Sequence, residues 1–188
     1  MRNFIVNRNI LTSFVIVVTA LWLSISFALA DSAILTIESV QSVTKGGSFA
    51  AKVNIENVTN LTGFRLDIDF DPGILKAVKV DEGTFLSSAG QPPFCINPKI
   101  DNTTGVITYI ACSKRGPGGA NGSGTLATIT FNAIGTGRSH IEFLNVKLLP
   151  DSQEIPVTVV DGSVDVVLAV LPAPVVLDIP DQIMGFFA

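Results

Sequence analysis

Histidine, tryptophan and tyrosine each occur only once in this sequence of 188 residues. The single histidine, His140, lies in an alternating segment that places it and Glu142 on a solvent-facing side of a strand. A Ser-His-Asp or Cys-His site would have to use this histidine, and no G-x-S-x-G elbow precedes it. We therefore predict that the chain is not an enzyme and that it uses no cofactor.

The two cysteines, Cys95 and Cys112, are too few for a structural zinc site, because His140 lies far from them in sequence. Two interpretations remain open for this pair. An oxidising compartment would favour a disulfide, whereas unpaired cysteines are commonly buried as thiols. We predict the disulfide.

The N-terminus has the three parts of a secretory signal peptide. Arg2 and Arg8 precede the apolar run 10–27, which ends at Ala28-Leu29-Ala30, with small residues where signal peptidase cleaves. An uncleaved membrane anchor is the alternative, since the apolar run is nearly long enough to span a bilayer. We predict that residues 1–30 are removed, which leaves a secreted or cell-surface protein without a stable membrane span.

Basic residues are also few. Without Arg2 and Arg8, 10 basic residues face 16 acidic ones, a net charge of −6. Such a surface argues against nucleic acid and anionic membranes as partners. The C-terminal segment 169–188 holds Pro172, Pro174 and Pro180 among apolar residues, so we predict a tail or linker rather than a membrane helix.

Residues 31–168 read as one all-β domain. Short runs rich in β-branched and aromatic residues alternate with Gly-, Pro- and Asn-rich turns, which is typical of a β-sandwich or barrel. We expect strands at 49–56 and 64–70 separated by a polar turn at 57–62, and a long loop at 87–104. No amphipathic helix is apparent in this region.

The clearest alternation runs from Phe64 to Phe70. Its apolar residues face a core, so Arg65, Asp67 and Asp69 are predicted to face outward. Asp67, Asp69 and Asp71 resemble a fragment of a calcium loop, but the sixth and twelfth positions are Pro72 and Val78 instead of Gly and Glu. We therefore predict no metal site.

A second strand, 106–113, contains Tyr109. Either Ile107, Tyr109 and Ala111 face outward, or Val106, Thr108 and Ile110 do. We prefer the first alternative, because an exposed Tyr is easier to accommodate than an exposed Val and Ile. A third strand carries Thr128 and Thr130 opposite its apolar face. The predicted partner contacts are Arg65, Asp67, Asp69, Tyr109, Thr128 and Thr130.

Four segments together resemble a cohesin domain, from about Ile34 to Val167. The segment 60–75 resembles the family's strand that ends in aromatic-Asp-Pro, and 80–86 resembles the strand that follows it. Residues 124–131 resemble the G-x-L-A-x-I-x-F strand, and 161–166 resemble the closing D-G-x-I-x-V strand.

The resemblance implies a nine-stranded jelly-roll β-sandwich that docks a dockerin, a partner domain that carries its own calcium, in systems that degrade polysaccharides. Gly63 and Arg65 depart from the family's best-known members, which have Asn and an acidic dockerin contact at these positions. The specificity of those members therefore does not transfer. Two other functions stay open: direct binding of a polysaccharide and a structural role at the cell surface. The scarcity of exposed aromatic residues argues against the first.

Overall fold

The computed structural model describes residues 32–87, 91–150 and 156–169, and all regular structure in these ranges is β. The predicted signal peptide, and the predicted tail except Ala169, lie outside the described residues. The strands are β1 (Ala33–Ile37), β2 (Val40–Thr44), β3 (Ser48–Phe70), β4 (Leu75–Glu82), β5 (Phe94–Ile96), β6 (Lys99–Asp101), β7 (Val106–Ser113), β8 (Ala120–Ala133), β9 (Gly137–Pro150), β10 (Val157–Val160) and β11 (Gly162–Val167). The all-β sandwich is confirmed, although the described residues form eleven strands where nine were expected.

The long strand β3 takes part in both layers of the sandwich. Its first half pairs with β1 and β8, in the order β10-β1-β3-β8-β4. Its second half pairs with β7 and β9, in the order β2-β11-β9-β3-β7, and the short strands β5 and β6 pair with β7. The neighbours of β3 thus come from sequence segments far apart from one another.

The core lies between the two layers and follows from the alternation of each strand. Ile68 on the second half of β3 and Ile129 on β8 are fully buried. Phe131 contacts both ends of β3, because its ring stacks on Phe49 at 5.5 Å and meets the edge of Phe70 at 5.2 Å. Aromatic contacts of this kind add to the free energy gained by burial, so they help to hold the two layers together.

The polar segment 57–62 is not the turn that we expected; it stays within β3. Asn57 and Asn60 adopt positive φ angles of 54° and 59°, a conformation that Asn tolerates better than most residues. The Asn60 N–H donates to Asn121 Oδ1 at 2.8 Å, and the Gly119 N–H donates to Asn60 Oδ1 at 2.8 Å. The polar side chains therefore accommodate irregular pairing with β8 and do not reverse the chain.

The expected loop at 87–104 contains the short strands β5 and β6. Cys95 of β5 lies directly opposite Cys112 of β7, and the two form a disulfide. This bond fastens a three-residue strand to the sheet. Within the described ranges, no helix is long and apolar enough to cross a bilayer.

Candidate functional site

The outer surface formed by β9, β3, β7, β5 and β6 is called here the candidate face. Residues directly opposite one another on neighbouring strands point to the same side of a sheet. The registers therefore order this face in rows. The first row is Phe94, Ser113, Gly63 and Leu149, the second is Ile96, Ala111, Arg65 and Lys147, and the last is Asp101, Val106, Asp69 and Glu142.

Tyr109 reaches the candidate face because β7 contains a bulge. Leu66 pairs with Ile110 but Ile68 pairs with Ile107, so two residues of β7 lie opposite Asp67. Tyr109 has a φ of 62° and is 49% exposed, whereas Ile107 is fully buried. The expected exposure of Tyr109 is confirmed, and the outward placement of Ile107 is wrong, because the bulge changes the phase of the strand.

Asp67 is buried, with 4% of its surface exposed, so the prediction that it is open to contact is wrong. Its Oδ1 accepts a hydrogen bond from the Tyr109 N–H at 2.8 Å, and its Oδ2 accepts one from Asn145 Nδ2 at 2.9 Å. Hydrogen bonds to a charged group are stronger than neutral ones. Asp67 therefore ties the bulge of β7 and strand β9 to β3 and has a structural role.

Arg65 is exposed and lies against both Asp67 and Tyr109. Its Nη2 is 3.5 Å from Asp67 Oδ2, and its Cζ is 4.3 Å from the centre of the Tyr109 ring. A guanidinium over an aromatic face is attracted to it electrostatically. These contacts orient Arg65 and Tyr109 together in the middle of the candidate face.

The other predicted contacts divide between the two layers. Asp69 lies on the candidate face and is half-buried. Thr128 and Thr130 are half-buried residues of β8, opposite Lys52 and Ala50 of the other layer. The structure therefore does not bring Thr128 and Thr130 together with Tyr109.

An apolar groove at one end of the candidate face was not expected from the sequence. Phe94 is 60% exposed, Ile96 is 54% exposed and Leu149 is 39% exposed. Arg65 and Lys147 lie beside them, and the groove has a volume of about 360 Å³. The alternation in Phe94-Cys95-Ile96 could have indicated it, since the inward Cys95 leaves both neighbours facing outward.

The opposite end of the candidate face is acidic. Asp101 begins the row that Asp69 and Glu142 complete, with Val106 between them. Hydrogen bonds from the backbone N–H groups of Thr103 and Thr104 keep the pKa of Asp101 below its usual value of 3.8. Asp101 is therefore ionised at neutral pH. Among the described residues, no group of three or more His, Cys, Asp or Glu side chains is arranged to hold a metal ion.

The fold and the sequence together identify the family of this chain. The Cohesin domain profile matches residues 34–166, so the chain belongs to the cohesin family. No curated protein resembles the chain closely enough in sequence to count as a match.

Solved structures share the fold at low sequence identity. A non-cellulosomal cohesin from the hyperthermophilic archaeon Archaeoglobus fulgidus is 15% identical, with a TM-score of 0.61, over 72% of this chain and 91% of that one. The OlpA cohesin of Clostridium thermocellum, solved in a type I complex with a dockerin, is 16% identical, with a TM-score of 0.62, over 73% and 100%. A type II cohesin–X-dockerin complex from Acetivibrio cellulolyticus gives 17% and 0.58, over 71% and 99%.

Proposed function

We propose that this chain is an exported, non-catalytic cohesin module that docks a dockerin-type domain through the candidate face. The observation that supports this most directly is the exposure of Phe94, Ile96 and Tyr109 on one charged sheet surface. Exposed aromatic and aliphatic groups surrounded by polar residues are typical of protein interfaces. The relatives solved with dockerins support the same kind of partner.

The partner's calcium would be bound by the dockerin and not by this chain. The direct test is isothermal titration calorimetry of residues 31–168 with purified dockerin domains encoded in the same genome. We expect at least one dockerin to bind with a dissociation constant of micromolar or below, and a chelator to abolish binding without lowering this protein's own melting temperature. If every dockerin from that genome fails to bind, the proposal is wrong.

Specificity should differ from that of the family's best-known members, because Arg65 lies in the centre of the candidate face and Gly63 lies in the row that borders the apolar groove. A Cβ added at Gly63 would lie 2.8 Å from the Cys112 carbonyl oxygen and 3.3 Å from Leu149 Cδ1. Gly63 therefore leaves space that Leu149 occupies. Arg65 places a positive charge at the position of the acidic contact, so dockerins that need this acid should be rejected.

We infer that the protein acts outside the cell, after cleavage between Ala30 and Asp31. N-terminal sequencing of exported protein should begin at Asp31, and intact Met1 in a membrane fraction would contradict this. A role in polysaccharide breakdown depends on the docked partner. It requires that the dockerin which binds be fused to a polysaccharide-degrading enzyme.

Direct polysaccharide binding is the second candidate, and the exposed Phe94 ring favours it. Sugar rings stack on open aromatic faces, but one face of Tyr109 is covered by Arg65. Among the described residues in the rows of the candidate face, Phe94 therefore has no equally open aromatic side chain beside it. Affinity electrophoresis in soluble polysaccharides separates the two functions, because we expect no retardation of the mature protein.

A further inference from the structure

Two like-charged pairs face each other across β3 and β9. Arg65 lies directly opposite Lys147, and Asp69 lies directly opposite Glu142. Like charges in directly opposed positions destabilise a sheet. Exchanging Lys147 and Glu142 would convert both pairs into attractive ones at no change in composition, so this arrangement does not serve the stability of the isolated domain.

The pairs divide the candidate face by charge. The cations Arg65 and Lys147 adjoin the apolar groove, and the acids Asp69, Glu142 and Asp101 occupy the last row. A further exposed cation, Lys99, lies opposite Thr108 on the edge strand β6, in the row between them. Arg65 and Asp69 are four residues apart on one strand, which separates the two rows by about 13 Å. Asp67 also lies between them, but it is buried, and its oxygens contact Tyr109, Asn145 and Arg65.

From this order of apolar, basic and acidic rows, we propose that the partner presents the complementary order. Its docking segment carries an apolar side chain for the groove, carboxylates next to it, and cationic side chains about 13 Å further along. Opposed potentials orient a partner and reject wrong ones. The candidate face therefore accepts its partner in a single orientation. This inference rests on the proposed docking function and adds the chemistry of the partner to it.

The probes are two fluorescent amphipathic helical peptides of identical composition. In the matched peptide, leucines adjoin glutamates and the lysines lie about 13 Å away. In the mismatched peptide, the glutamates and lysines are exchanged. Turning a peptide round does not convert one into the other, because the leucines mark one end. Fluorescence anisotropy at low salt should show about tenfold tighter binding of the matched peptide, and the difference should shrink as salt increases.

The test variant is Lys147→Glu with Glu142→Lys, which exchanges two exposed residues of one strand and keeps the net charge. We expect its preference for the matched peptide to fall at least threefold, while its melting temperature rises by a few degrees, because both opposed pairs become attractive. The control is Lys79→Asp with Asp81→Lys on β4 of the other layer. This control should keep the wild-type preference.

Equal affinity of the wild-type protein for both peptides, including no binding of either, would overturn the inference. Full retention of the preference in the Lys147→Glu, Glu142→Lys variant would also overturn it. The peptide experiments do not test the proposed docking function, because the peptides contain no dockerin. A dockerin that binds the wild-type protein and this variant equally well would leave the docking function standing and refute the charge order.

Discussion

The outer surfaces of the two layers use their charged residues in opposite ways. On the layer that contains β8 and β4, Lys52 lies 3.8 Å from Glu38 and Lys79 lies 2.7 Å from Asp81. Ser48 also donates a hydrogen bond to Asn132 across the strands, at 2.7 Å. We call this surface the far face. These polar groups pair with one another inside the chain.

The candidate face instead sets like charges against each other, although Arg65 also lies 3.5 Å from Asp67. Arg65 and Lys147 oppose each other, as do Asp69 and Glu142, and the nearby side chains of Phe94 and Tyr109 are 60% and 49% exposed. A single strand, β3, supplies residues to both surfaces. Under the proposed docking function, this contrast is expected, because a docking surface needs charges that remain available to a partner.

The largest losses of stability should come from truncating core residues, and they should be similar beneath the two surfaces. Similar losses would show that the contrast concerns only the exposed side chains. Ile68 underlies the candidate face and Ile129 underlies the far face, and both are fully buried. Ile68→Ala and Ile129→Ala should each lower the free energy of unfolding by about 2–5 kcal/mol, through lost burial and the cavity left behind. Urea denaturation measures both. A cost below about 1 kcal/mol for either one would show that the two layers are not packed alike.

Loss of the disulfide should have the next largest effect, and it concerns the candidate face alone. Cys95 and Cys112 are 17 residues apart, and closing a loop of this length contributes on the order of 3 kcal/mol in the chain-entropy model. The double variant Cys95→Ala, Cys112→Ala should lose about that much stability, by chemical denaturation. It should also bind dockerin more weakly, because β5 carries Phe94 and Ile96.

Titration of the unfolded, unreduced protein checks the bond itself and should find no free thiol. Two free thiols per chain would refute the disulfide. Unchanged dockerin affinity in the double-alanine variant would show that β5 needs no covalent attachment to present its apolar side chains.

Tyr109 should account for much of the binding free energy. Tyr109→Ala should weaken dockerin binding by roughly 2 kcal/mol, about thirtyfold in the dissociation constant, because a central half-exposed aromatic is lost. Thr130→Ala, on the far face, is the control and should change affinity by less than twofold. Isothermal titration calorimetry of the two variants tests whether dockerin contacts the candidate face and not the far face. Equal losses would mean that the docking surface includes β8.

The backbone conformation of Tyr109 leads to a smaller expected effect. The difference in stability between the Gly and Ala variants should have opposite signs at Tyr109 and Thr130. Because Tyr109 has a φ of 62°, Tyr109→Gly should be more stable than Tyr109→Ala by about 1 kcal/mol. Thr130 lies in the regular strand β8, so Thr130→Gly should be less stable than Thr130→Ala by roughly 0.5–1 kcal/mol. Thermal denaturation of the four variants measures both differences. The same sign at both positions would show that the bulge is not strained.

The smallest effect concerns acid stability. The pKa of Asp101 is lowered in the folded protein by the backbone N–H groups of Thr103 and Thr104. Its contribution to stability is therefore complete above the usual pKa of 3.8, which applies to the unfolded chain, and is lost as pH falls through the lower folded value. Asp101→Asn should slightly flatten the fall in melting temperature below about pH 4.

The alternation of β3 from Phe64 to Phe70 predicted the core side of the candidate face correctly, because period-two burial depends only on local sequence. The burial of Asp67 could not be predicted in the same way. Alternation gives the side to which a residue points, but Asp67 is covered by groups that arrive from β7 and β9. Local sequence patterns do not reveal contacts between segments that are far apart in the chain.

The position of Tyr109 shows a second limit. Both simple alternations of β7 were wrong in part, since Ile107 and Ile110 are both buried while Tyr109 is exposed. A bulge adds one residue and changes the phase within a strand, and nothing in the composition of 106–113 marks it. The role of the six predicted contact residues in docking remains a prediction, and Thr128 and Thr130 are now its weakest members.

The 23-residue length of β3 has a consequence for how the domain forms. Leu61 pairs with Pro150, and Ser48 pairs with Asn132, so β3 must wait for segments about 85 to 90 residues further along the chain. Pairings this distant close slowly, because loop entropy is lost before the contacts are gained. A chain emerging N-terminus first could therefore pair β3 only with β1 until β7, β8 and β9 had appeared. The two layers are therefore completed late and at the same time, so both surfaces of the domain form together.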